Sequence, residues 1–149
     1  MQIIYLFTEI FFRRGSDMLP EQLVEISGVR FEHAKECLLD AKILISRESY
    51  RSAANRSYYA IFHAMRSVLA LDNIDMKHHS GIISEFRRLY IKTGIFENTM
   101  SDLISELSIV REGSDYNDFF VVSKADTIRQ VNSAEHFLSN IHAYLETQY

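Results

Sequence analysis

Cysteine, proline and glycine are all scarce in this sequence, and each shortage excludes something. Cys37 is the only cysteine, so no intramolecular disulfide can form. In a helical pattern a lone cysteine usually serves as a small buried hydrophobe, and its use suits a reducing compartment, so we expect a cytoplasmic protein. Pro20 is the only proline and there are five glycines, too little punctuation for a sheet with many turns. No charge excess of one useful sign exists either. The formal net charge is −4, which argues against bulk electrostatic binding of nucleic acid while leaving room for a local basic patch.

Long hydrophobic runs are missing as well. The opening MQIIYLFTEIFF is apolar but is broken by Glu9 and is too short to span a membrane. It has no leading positive charges, and Arg13 and Arg14 follow it, so it does not read as a secretory signal. Met18 stands just ahead of the first helix signal and would serve as an alternative start. Residues 1–18 therefore read either as a short docking helix or strand or as an N-terminal extension outside the native domain, and we expect residues 19–149 to form one domain, with no membrane association.

What is present is helical periodicity. With 149 residues, 47% of them hydrophobic and 24% charged, the chain can build a core without a disulfide or metal staple. Five stretches repeat apolar residues at steps of three and four. The first runs from Pro20 to Ser46, with Phe31, Ala34, Leu38, Ala41 and Ile45 as its stripe and a break expected near Gly28. The second runs from about 50 to 71 behind a Ser49 cap. The third, about Ser80 to Lys92, carries Ile82, Ile83, Phe86 and Tyr90 and ends at Gly94. The fourth, Asn98 to Tyr116, buries Met100, Leu103, Ile104, Leu107 and Val110. The fifth opens on Ser123 with Asp126 in a capping-box position, and carries Ile128, Val131, Leu138, Ile141 and Leu145. Only Phe119–Val122 suggests a brief extended segment. Short connections between such helices predict an all-α, antiparallel, four- to five-helix up-and-down bundle.

The second helix carries the chemistry. Advancing 100° per residue gathers Ala54, Tyr58, Ile61, Phe62, Met65, Val68 and Leu69 on a core face. Ser52, Arg56, Tyr59, Ala60, His63, Ser67 and Ala70 gather opposite, a polar face small enough for another helix or a ligand to approach. Arg56, Tyr59 and His63 stack along one line at i, i+3 and i+7, offering a cation, a phenol and a group titrating near neutral pH. The same line would also suit a solvated stripe or a dimer face. On the fourth helix Arg111 shares a face with Met100, Ile104 and Leu107, and Asp115 follows at i+4. That pair reads either as a helix-end salt bridge or as an arginine held to face phosphate. Gly113 between them costs about 1 kcal/mol of helix propensity relative to alanine. His78 and His79 read as a polar connection near Asp75, and Arg51, Arg66, Lys77, Arg87 and Arg88 could border one surface. The i, i+4 histidine pair of a zinc helix and the Glu-x-x-His of di-iron bundles are both missing, so no metal or cofactor is expected.

The run YRSAANRSYYAIFHAMRSVL resembles the second helix of small prokaryotic HEPN proteins, and HHSGIISEF and REGSDYND resemble their third-helix start and fourth-helix end. The likeness extends from about Leu19 to the C-terminus. It implies a helical bundle that forms a homodimer with polar helices around a shared cleft. It also implies either a nucleotide-binding or nucleotidyltransferase-partner module of a toxin–antitoxin-like system, or a metal-independent ribonuclease toxin; a non-catalytic helical adaptor is the third alternative. The family's active motif is an arginine followed after four to six residues by a histidine, near the end of a late helix. Here Arg111 meets Tyr116 after that gap, and no histidine follows until His136. Arg56 and His63 satisfy the spacing on an earlier helix. The candidate catalytic set is therefore Arg56, His63 and Arg111. Tyr59, Asp115 and Tyr116 are candidates for contacting RNA or a nucleotide, and Tyr116 could instead be modified by a nucleotidyltransferase antitoxin.

Overall fold

A computed structural model of the chain describes residues 20–149; the expected extension of residues 1–18 lies outside them. The described part is an all-α antiparallel bundle with five helices and no strand. They are α1 (Pro20–Ser46), α2 (Tyr50–Leu71), α3 (His79–Phe86), α4 (Asn98–Tyr116) and α5 (Lys124–Glu146). Their bounds lie close to the periodic stretches. An apolar residue every three or four positions gives each helix a face that only another helix can cover.

α2 is the centre of the bundle and packs against every other helix. Its core face behaves as the periodicity predicts: Ala54, Tyr58, Ile61, Phe62, Met65, Val68 and Leu69 are all buried. The opposite face is covered too. Ala60, Ser67 and Ala70 are buried, and α1 and α2 share the most extensive helix interface among the described residues.

Three local expectations are corrected. α1 runs without interruption through Gly28, where a Cβ would meet nothing within 4 Å, so no packing constraint forces a break. Residues 119–122 form a turn and an irregular connection, with Phe119 and Val121 exposed. Ile128 is also exposed, while Val131, Leu138, Ile141 and Leu145 enter the core. α3 continues into a π-helical turn, Arg87–Ile91, that carries Tyr90 into the core. There the buried Tyr90 hydroxyl donates to Asp72 at the end of α2. Gly94 ends this element in the left-handed region at φ +81°, which favours glycine.

Candidate functional site

Tyr59 is the hub of the polar line on α2. Arg56, one turn earlier, holds its guanidinium 5.8 Å from the Tyr59 ring centre. His63, one turn later, has its ring 6.3 Å away. From α4, Arg111 reaches across the groove: its Nη2 donates to the Tyr59 hydroxyl at 3.4 Å, and its guanidinium lies 5.3 Å and 5.8 Å from the Tyr58 and Tyr59 ring centres. Cations over aromatic faces are attracted by the ring quadrupole. Arg111 is further fixed by Asp115 at 3.0 Å, and Asn55 of α2 donates to the same carboxylate at 3.2 Å. Arg56, Tyr59, His63, Arg111 and Asp115 thus share one face. Tyr116 does not join them; it is 80% exposed at the end of α4.

Four further residues belong to this face and were not singled out by spacing. His79, at the start of α3, stacks on Phe62 at 4.0 Å, meets the Tyr59 ring edge-on at 5.8 Å, and is hydrogen-bonded through Nδ1 to the Tyr58 hydroxyl at 3.2 Å. His33 of α1 stacks on His63 with ring centres 4.0 Å apart. Arg30 of α1 and Arg66 of α2 share the carboxylate of Asp75 at 3.0 Å and 3.2 Å. The signals in the sequence for these were the Asp75–His79 cluster and the place of Arg66 among the basic residues; His33 and Arg30 gave none, because their partners lie on elements distant along the chain.

Three of the other basic residues are held by nearby partners. Arg51 donates to the carbonyls of Asn117 and Phe120, Arg87 to Ser101 and Ser105, and Arg88 pairs with Glu85. The late histidine is also elsewhere. His136 lines a shallow groove with Leu103, Ile128 and Arg129, whereas Arg111 faces α2.

The environment sets the protonation of the face. Burial, reinforced by the His33, Arg66 and Arg30 charges, pulls the His63 imidazole down to about 4, so it is neutral at pH 7. Burial and the Arg111 charge lower His79 in the same sense. Burial pushes the Tyr58 phenol up to about 12 despite the nearby Arg111. Burial works against the charge of Arg111, yet Tyr59, Tyr58 and Asp115 together hold its pKa above the ordinary value. The result is a face on which Arg30, Arg56, Arg66 and Arg111 meet Asp75 and Asp115, with Glu36, Asp40 and Glu112 close enough to act on it, interleaved with aromatic and imidazole rings. Such a surface can take a phosphate on a guanidinium and a flat base against a ring.

The profile of the HEPN domain matches residues 28–143 of this chain. Among curated proteins, a "UPF0332 protein" of Thermotoga maritima is 31% identical over 76% of this chain and 86% of its own length. A protein of Methanocaldococcus jannaschii with the name "Putative toxin" is 34% identical over 83% of this chain and 92% of its own length. A second protein of that organism with the same description is 27% identical over 76% and 78% respectively.

Proposed function

This chain belongs to the HEPN domain family, and on that premise we propose that it is the HEPN component of a toxin–antitoxin-like pair that binds a nucleotide or RNA phosphate on the Tyr59–Arg111 face. The toxin descriptions of two relatives support the setting. One observation carries the ligand: Arg111, the arginine at the family's usual position, is stacked against two tyrosines beside Arg56 and His79. The guanidiniums gathered there would offer phosphate a local cationic contact within a chain of net charge −4.

Non-catalytic binding is the better-supported role. In-line RNA cleavage needs a base at the ribose 2′-hydroxyl, an acid at the leaving oxygen and a cation at the phosphorane. Arg56 and Arg111 suit the cation. His63, held near 4 and stacked on His33, is a weak base and carries no proton to give at neutral pH. The position of the late histidine holds Tyr116. Its exposure suits contact with, or modification by, a nucleotidyltransferase partner, alongside the exposed Phe119 and Val121. We place the protein in the cytoplasm as a homodimer; no described helix is long and apolar enough to cross a membrane.

Calorimetric titration of ATP into the purified chain, with a parallel incubation with single-stranded RNA, tests this reading. We expect binding that weakens at least tenfold in Arg111→Ala, with the RNA left intact. RNA cleavage abolished by His63→Ala would establish the ribonuclease alternative, and failure of both nucleotide and RNA to bind would leave the adaptor.

A further inference from the structure

His33 and Cys37 stand one turn apart on the face of α1 that packs on α2, and His63 of α2 lies opposite them. One donor atom from each, two imidazole nitrogens and the Cys37 Sγ, fall within 4.8 Å of one another. No other three histidine, cysteine or carboxylate side chains converge in this way among the described residues. His63 Nδ1 is buried with no hydrogen-bond partner, a loss that a native fold normally avoids. Cys37 is 2% exposed while His33 is open to solvent, so the trio has a buried floor and an accessible lip.

We infer that His33, Cys37 and His63 form a binding site for one zinc-class transition-metal ion, with Cys37 as thiolate and the fourth tetrahedral position open to water. Two imidazoles and one thiolate are soft-to-borderline donors, which select zinc-like ions over magnesium and calcium with their demand for oxygen. Metal–donor lengths of about 2.0–2.3 Å place tetrahedral donors about 3.3–3.6 Å apart, so the trio must close by about 1 Å. The exposed His33 ring supplies that movement by leaving its stack on His63. As the sulfur–metal bond forms, the thiol proton passes to solvent. The cations Arg30, Arg56 and Arg66 border the site and weaken its hold on a dication, and Glu36 and Asp40 on α1 act in the opposite sense.

Two consequences follow from the placement. Ligands on both helices would pin α1 to α2. Metal on His63 would also remove that imidazole from the Tyr59 face, coupling metal loading to whatever binds there. The site itself stands independently of the nucleotide reading.

The test uses cobalt(II) as the probe on the full chain after chelator treatment. We expect saturation at one equivalent, with the thiolate-to-cobalt charge-transfer absorption and the strong visible bands of a tetrahedral ion, both erased by added zinc. Cys37→Ser should lose the charge-transfer band. His33→Ala, at an exposed position outside the core, should weaken cobalt binding at least tenfold, and His78→Ala should leave it unchanged. Absence of the charge-transfer band in the wild type, or unchanged affinity in His33→Ala, would overturn the site. Should Cys37→Ser not fold by circular dichroism, His33→Ala decides alone.

Discussion

Arg111 can share a helical stripe with Met100, Ile104 and Leu107 because its guanidinium finds two tyrosine rings and a carboxylate at the edge of the core. The flat, delocalised cation is what fits there; a lysine ammonium would keep the charge but lose the stacking and the fixed fork. Arg111→Lys is therefore expected to bind ATP roughly five- to tenfold more weakly than wild type, closer to Arg111→Ala than to the parent, by the same calorimetric titration. His63 makes a different prediction. Its folded pKa of about 4 lies below the ordinary 6.5, so between those values the unfolded chain binds more protons. Its contribution to stability is present at pH 7 and is lost as pH falls through that window. Discounted for partial solvent contact, the loss is about 1–2 kcal/mol. In the presence of chelator the urea midpoint should fall between pH 7 and 4.5, and fall less in His63→Gln; equal falls would mean that His63 is not buried as described. The line of Arg56, Tyr59 and His63 was legible in the sequence because helical spacing alone aligns it. Its neighbours His33, His79 and Arg30 were not, since nothing in spacing reports a contact between separate helices.

Gly113 shows why an element can carry a residue that its propensity disfavours. A Cβ at that position would come within 2.6 Å of the Phe120 ring, so the glycine lets the segment after α4 fold back onto the helix. Gly113→Ala should gain no stability in the wild-type background, because the propensity gain is opposed by the displaced ring. In a Phe120→Ala background the same change should stabilise by about 1 kcal/mol. Chemical denaturation of the four variants reads this coupling, and additive effects would refute it. The start of α5 is simpler: the Ser123 hydroxyl accepts from the Asp126 backbone N–H at 3.0 Å, as its cap position predicted. Ser123→Ala should cost about 1 kcal/mol. Asp126 itself pairs with Arg129, so only half of a capping box is built. Periodicity made the five helices readable, while Ser49, at the expected cap position of α2, makes no side-chain cap hydrogen bond. The π-helical turn at Arg87–Ile91 was hidden, because its reason is tertiary: it carries Tyr90 to Asp72.

At the scale of the molecule, α2 is the central helix of the described bundle and packs against the other four. The small residues Ala60, Ser67 and Ala70 are buried on the same helix that carries the aromatic and arginine line. On this arrangement the proposed phosphate site is a local gathering of guanidiniums within a chain of net charge −4. The central claim is where the ligand sits. Titrating ATP into isotopically labelled protein while following backbone amide resonances tests it most directly. The account predicts shifts clustered on residues flanking Tyr59, His79 and Arg111, absent in Arg111→Ala. Shifts confined to the groove of Leu103, Ile128 and His136 would contradict it.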